Sequence, residues 1–363
     1  MTPPSAPRRI SLLALPESTG TPVHGLYETL VLVDAVAASP DGGPPDGGAD
    51  GGPDGGPDGG PVGGAVRLFD VEIVGPERGV FPSACGLPLE VHRAVRDVDE
   101  TDAVIMASML FDRQEWVTGR HDETVAWLRR MHARGADLCS ACAGALLLAE
   151  TGLIDGMTTT THWAFAPTFR RNFPDIDLRV EELLVVAGPR GEFMMSGAAS
   201  SWQDLVLHLI ARHAGPTAAQ AIGRFLLYHW DTRTQAPFVP FDPPTDHGDA
   251  AVRDVQRWLH EDGRVGASVD DLCRRSRLSR PTFNRRFKRA TGHTPVAYLQ
   301  RLRVEEAKRL LERTDAPVDD VCVRVGYDEA AAFRRVFKRF TSLTPAAYRR
   351  KFQLPPNARG ATP

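Results

Sequence analysis

The sequence predicts two unlike domains in one chain, a parallel α/β sheet domain followed by an all-α tandem helix-turn-helix domain. Three observations carry this. Strand-like and helix-like segments alternate through the first part of the chain. A unit that recurs at a shift of fifty positions then occupies the stretch from Val269 to Tyr348. Between the two the charge reverses. From Asp249 onward there are 25 Lys/Arg against 14 Asp/Glu, a net of +11, whereas residues 1–248 carry 18 against 32, a net of −14. A basic domain behind an acidic one directs any polyanion to the C-terminal part.

The whole chain has 363 residues, enough for two or three domains with ample core. The expected division is 1–235 for the sheet domain, 236–248 for a proline-rich connector, 249–354 for the helical domain and 355–363 for a disordered tail. Five scattered cysteines do not make a disulfide framework. No apolar run reaches ~18 residues, and RRISLLALP is too short for a signal-peptide core. A cytoplasmic protein without membrane contact is therefore expected.

In the first domain, residues 10–15 form a short apolar run stopped by Pro16, the pattern of a buried strand. Residues 25–38 have helical content. A Gly/Pro/Asp insertion at 39–64 (SPDGGPPDGGADGGPDGGPDGGPVGG) has nothing to bury and is expected to be disordered. Residues 66–74 alternate around Leu68, Val71 and Ile73 as a strand, and DAVIMA at 102–107 reads as a second, buried one. A helix over 123–133 turns Val125, Leu128 and Met131 inward. A strand at 136–141 then runs into Cys142, followed by the helix LLLAE; a further helix spans 200–212 on Trp202, Leu205, Val206 and Leu209.

The strand–Cys142–helix passage is where this domain has room for chemistry. A side chain on a sharp strand-to-helix turn stands above the sheet, and a helix N-terminus beneath it favours thiolate over thiol. Ala141, Ala143 and Gly144 are small enough for such a turn, and His162 in TTTTHW follows twenty residues later. The same pattern also suits a small cysteine packed at a strand end, and the residues leave both readings open. Cys139 and Cys142 have CxxC spacing, but Cys139 falls inside the strand and no second cysteine pair accompanies it. Neither a metal nor a cofactor is expected.

In the second domain each copy reads as two helices around a tight break. Val269, Leu272 and Cys273 make one apolar face, answered by Val318, Val321 and Cys322 one residue out of step. Ser279 suits an N-cap and Pro281 the first helical turn. Phe283 and Phe287 then point inward, leaving Arg280, Thr282, Asn284, Arg285 and Lys288 for another face. A shift of fifty brings up Phe333 and Phe337 with Arg334, Arg335 and Lys338. Helix, turn and basic helix is the arrangement whose second helix can enter a major groove. Between the copies, residues 295–313 form one continuous helix, at ~1.5 Å per residue a spacer of roughly 28 Å, close to the ~34 Å of one DNA turn.

Through LSRPTFNRRFKRATGHTPVAYLQRLRVEEAKRLL and AFRRVFKRFTSLTPAAYRRKF, about the last hundred residues resemble the DNA-binding domain of AraC/XylS-type transcription regulators. Cys273 and Cys322 stand where that family usually has alanine. Ser342 replaces its usual glycine and is expected to loosen the turn. Residues 10–230 resemble a ThiJ/PfpI domain through SACAGALLLAETGLIDG, TTTTHWA, FPDIDLRVEE and SGAASSWQDLVLHLI. That resemblance implies a flavodoxin-like parallel sheet of the class I glutamine amidotransferase-like type. It also implies an elbow cysteine at Cys142, a histidine at His162 and a partner glutamate, for which Glu28 in GLYET is the match. The fused pair is similar to GlxA-type regulators.

The function expected is a sequence-specific transcription regulator of double-stranded DNA. Its first domain would sense a small-molecule effector of unknown identity and form a homodimer. The competing expectation is a cysteine enzyme of the ThiJ/PfpI kind acting at Cys142, such as a hydratase, an amidase or a glyoxalase-like activity.

Overall fold

The computed structural model describes residues 6–37, 67–111, 115–229, 234–261 and 266–354. The insertion at 39–64 and the tail at 355–363 lie outside the described residues. Contacts divide the chain into two compact units, Met1–Gln235 and Ala236–Pro363.

The strands of the first unit are β1 (Arg8–Leu13), β2 (Phe69–Gly75), β3 (Gly79–Pro82), β4 (Pro88–Val91), β5 (Arg93–Ala94), β6 (Ala103–Met106), β7 (Asp137–Ala141), β8 (Thr158–Thr159), β9 (Asp177–Leu178), β10 (Leu184–Ala187) and β11 (Phe193–Ser196). Its helices are α1 (Gly20–Ala37), α2 (Asp122–Ala133), α3 (Gly144–Glu150), α4 (Ala166–Asn172), α5 (Trp202–His213) and α6 (Pro216–Phe225). One seven-stranded sheet runs in the order β10-β11-β7-β6-β1-β2-β5, parallel throughout except for the antiparallel edge strand β10.

Period-2 geometry explains why the central strands are apolar on both sides. Ile10 and Leu12 of β1, Ala103 and Ile105 of β6 and Cys139 of β7 face a core with Leu26 and Leu30 of α1, Leu205 of α5 and Ile222 of α6. Leu13, Val104, Met106 and Leu138 face the opposite core, with Trp127 and Leu128 of α2, Leu147 of α3 and Phe169 of α4. Full burial of one such side chain stabilises by about 1.5–3 kcal/mol, so each face of the sheet contributes to the fold.

Four elements differ from the sequence reading. Helix α1 begins at Gly20, because Pro22 in its first turn continues a helix rather than breaking one. The strand expected from residue 66 begins at Phe69. Strands β10 and β11 were not anticipated; each has only four residues, and the Phe-Met-Met-Ser run of β11 carries little β-branched signal.

The second unit contains α7 (Ala250–Glu261), α8 (Val269–Ser276), α9 (Arg280–Thr291), α10 (Pro295–Arg313), α11 (Val318–Arg324), α12 (Ala330–Thr341) and α13 (Pro345–Phe352). Helix α10 is its spine. Tyr298 and Leu299 near its start join Val252, Val255, Leu272, Phe283 and Phe287 in one core. Val304, Ala307 and Leu311 further along join Val321, Cys322, Phe333, Phe337 and Tyr348 in another. Residues just after the boundary pack on this unit. Phe241 lies edge-on to Tyr298 with ring centroids 5.0 Å apart, Phe238 lies edge-on to Phe352 at 4.9 Å, and Lys308 Nζ donates to the Val239 carbonyl over 2.9 Å.

The sequence repeat is also a repeat of interactions. Tyr298 stands edge-on to Phe287 at 5.1 Å and Tyr348 edge-on to Phe337 at 5.4 Å. Thr294 and Thr344 cap α10 and α13, accepting the N–H groups of Ala297 and Ala347. The one-residue slip between copies falls in the turn. Arg277 and Gly326 both take a left-handed conformation after the first helix, at φ 55° and 81°. From there two residues lead to Arg280 and three lead to Ala330, so the second turn is longer by one.

Candidate nucleic-acid interface and the Cys142 elbow

Helix α9 buries Phe283, Phe287 and Thr291, and α12 buries Phe333, Phe337 and Thr341. From Thr282 to Thr291 and from Ala332 to Thr341 the burial pattern is the same residue for residue. The opposite face of α9 exposes Arg280, Pro281, Asn284, Arg285 and Lys288, while Thr282, half-buried, accepts a hydrogen bond from the Ser279 hydroxyl at 3.0 Å. On α12 Arg334, Arg335 and Lys338 are among the exposed residues, and Ala330 and Ala331 occupy the first turn. Aspartates at matching places on α8 and α11 reach these helices: Asp270 pairs with Arg280 at 3.0 Å and Asp319 with Arg334 at 2.7 Å.

One arginine on α9 is structural, and it is Arg286. Two parallel hydrogen bonds of 2.8 and 2.7 Å bind it to Asp249, whose side chain is only 8% exposed. The Arg286 guanidinium, with the Val252 N–H, holds the Asp249 carboxyl at about 2. Sequence reasoning did not single out this pair, because nothing local links positions 249 and 286.

In the first unit Cys142 sits at φ 55°, 4% exposed, where β7 turns into α3. Its N–H donates to the Ser196 carbonyl (2.7 Å) and its own carbonyl accepts from the Thr161 hydroxyl (2.8 Å). Gly144 is sterically required. A Cβ there would lie 2.4 Å from the Met106 carbonyl oxygen and 2.9 Å from that of Ala107. Of the two readings left open at Cys142, its burial favours the small packed cysteine over an activated thiolate. Burial pushes the Cys142 thiol up to about 11, and the Ser108 hydroxyl and Ala143 N–H beside the sulfur offset only part of this. Cys139 is fully buried inside β7, where burial raises its thiol well above the usual range.

Thr161 brings the segment containing His162 against the elbow, yet the His162 ring caps its own turn. Its Nδ1 accepts the Ala164 N–H over 3.2 Å, and burial lowers its pKa. Glu28 is exposed on α1. A buried glutamate follows β1 instead: Glu17, whose Oε1 lies 2.7 Å from Arg120 Nη2 and whose Oε2 lies 3.7 Å from His121 Nε2. Backbone hydrogen bonds from Thr19 to Ser108 (2.8 Å) and from Leu110 to Glu17 (2.9 Å) tie this loop to the segment beside the Cys142 sulfur. The order of strands reverses between β1 and β6, and ligands of open α/β sheets bind outside the carboxyl ends of strands at such a point. The readable signal for Glu17 is its place directly after the strand stop at Pro16. A search for a glutamate on the following helix passes over it.

The sheet with its cysteine elbow and the paired basic helices together define a two-domain helix-turn-helix protein. Residues 272–351 match the family model described as a helix-turn-helix domain. The chain is 28% identical over 212 residues to the HTH-type transcriptional regulator CdhR of Pseudomonas aeruginosa, covering 58% of this chain and 61% of that one. It is 22% identical over 275 residues to the HTH-type transcriptional regulator GlxA of Rhizobium meliloti, covering 73% and 80%. The chain thus spans about three-fifths of the length of the CdhR regulator. A ThiJ/PfpI family protein from Pseudomonas syringae aligns with a TM-score of 0.46 and 16% identity, covering 75% of this chain and 89% of that one.

Proposed function

We propose that this chain is a sequence-specific DNA-binding transcription regulator whose α9 and α12 enter successive major grooves of double-stranded DNA. The observation that carries this is an exposed basic strip that recurs at Arg285 and Lys288 of α9 and at Arg335 and Lys338 of α12, each over the same buried Phe-Phe-Thr face. Asn284 suits adenine and Arg280 or Arg285 suits guanine, whereas Lys288, Arg335 and Lys338 suit phosphate. The names of the similar regulators support the same reading. The first unit is read as the sensor of a small-molecule effector, held in the crevice near Glu17, Ser108 and Cys142, and as the homodimerising part of a cytoplasmic protein. The competing reading, a ThiJ/PfpI-type cysteine enzyme, is weakened by the buried thiol at Cys142, which is protonated at neutral pH.

The test is binding of residues 236–354 to double-stranded DNA as a function of salt. Several phosphate contacts released together predict an affinity loss of more than about tenfold between about 50 and 200 mM salt. Binding that does not weaken over that range overturns the reading.

A further inference from the structure

Gln235 is the last residue of the first unit and is 2% exposed. Its side-chain amide donates to the carbonyls of Thr161 (3.2 Å) and Glu182 (3.0 Å), with the Thr160 hydroxyl at 3.4 Å. Its main-chain N–H donates to the Glu181 carbonyl over 2.8 Å. Gly197 forms the facing wall, and so closely that a Cβ there would lie 1.8 Å from the Gln235 amide nitrogen. The two walls of this socket are also the two holds on Cys142. Ser196, next to Gly197, accepts the Cys142 N–H, and Thr161 donates to the Cys142 carbonyl. Cys142 itself is in the left-handed region, a conformation that a non-glycine residue keeps only when its surroundings impose it.

We infer that Gln235 is a positioning residue that couples the Cys142 elbow to the connector beginning at Ala236. A shift of the Cys142 peptide displaces Thr161 or Ser196 and with them a wall of the socket. The amide then loses its acceptors at a place only 2% exposed, where an unmet donor is costly, so seated and released states are distinct. By linkage, release of Gln235 must loosen the elbow as much as disturbance of the elbow loosens Gln235. The regulatory meaning of this coupling rests on the proposed effector site, but the coupling itself is measurable without an effector or DNA.

The experiment is backbone hydrogen exchange, read by mass spectrometry, on the full-length protein. Gln235→Met keeps the volume and removes the donors, Gly197→Ala pushes a methyl group onto the amide, and Thr161→Val removes the hydroxyl that holds the Cys142 carbonyl. Gln235→Met and Gly197→Ala are expected to speed exchange at residues 142–144 by about tenfold or more, with β1 and β2 unchanged. Thr161→Val is expected to speed exchange at Gln235 to a similar extent. A residue that only fills space would loosen its own neighbourhood without the reciprocal effect. Elbow exchange in Gln235→Met equal to wild type overturns the coupling, and so does an unchanged Gln235 amide in Thr161→Val. If Gly197→Ala does not fold, the other two variants decide. Reciprocal exchange effects in a protein that fails to bind DNA would uphold the coupling and remove the regulator reading.

Discussion

Arg286 grips Asp249 through two hydrogen bonds of 2.8 and 2.7 Å, which join the middle of α9 to the residue just before α7. The pair gives the second unit a defined response to acid. The Asp249 carboxyl is depressed to about 2 from an ordinary value near ~3.9. Its stabilisation is therefore fully present above about pH 4 and is lost as pH falls towards 2. Roughly 1–2 kcal/mol is expected after allowance for the third of Arg286 that water reaches. Urea denaturation of residues 236–354 at pH 7 and pH 3 should differ more for wild type than for Asp249→Asn. Equal differences would remove the pair from the stability of this unit.

The turns after α9 and α12 make a second comparison. Gly292 and Ser342 both end their helices in the left-handed region, at φ 76° and 57°. Serine bears a Cβ cost there that glycine does not. Ser342→Gly is expected to stabilise the second unit by about 0.5–1 kcal/mol, and Gly292→Ser to destabilise it by a similar amount. Chemical denaturation midpoints check both signs.

Phe241 belongs sequentially to the proline-rich connector but packs on Tyr298 and His293. Phe241→Ala should cost the second unit about 1–3 kcal/mol, through lost ring packing and buried area. A fragment beginning at residue 249 should melt lower than one beginning at 236. Identical melting temperatures would show that the ring adds nothing to this unit.

The thiols should rank by burial. Cys85 is exposed, whereas Cys142 is buried with its thiol pushed up to about 11. At pH 7.5 iodoacetamide should modify Cys85 well before Cys142, and the Cys142 rate should climb as pH approaches 11. Peptide mapping by mass spectrometry follows each site. Faster labelling of Cys142 at neutral pH would restore the case for an activated nucleophile. Cys142→Ala should leave DNA affinity intact while changing any effector response.

Division of labour between the recognition helices is tested with randomised DNA. Asn284→Ala should relax base preference in one half-site, by about 1–3 kcal/mol at the affected position. Lys338→Ala should weaken all sequences about equally. The first turn of α12 carries Ala330 and Ala331 where α9 carries Arg280 and Pro281, so one half-site should be read sharply and the other loosely. Equal information in both half-sites of the wild type would defeat this.

Local signals were enough for the helical half. Apolar spacing, the Thr294-Pro295 start and the repeat itself placed α10 at Pro295–Arg313, because caps and 3.6-residue periodicity are properties of neighbouring residues. They also marked the elbow at Cys142, where strand, small residues and helix follow in order. Non-local contacts decided the rest. Asp249 makes Arg286 structural and leaves Arg285 exposed. Packing leaves Glu28 exposed on α1 and buries Glu17 directly after β1. Burial of Cys142 pushes its thiol up, although a helix start beside it argues for the opposite. Charge state and partnership depend on which distant groups exclude water from a side chain, and chain packing alone sets that.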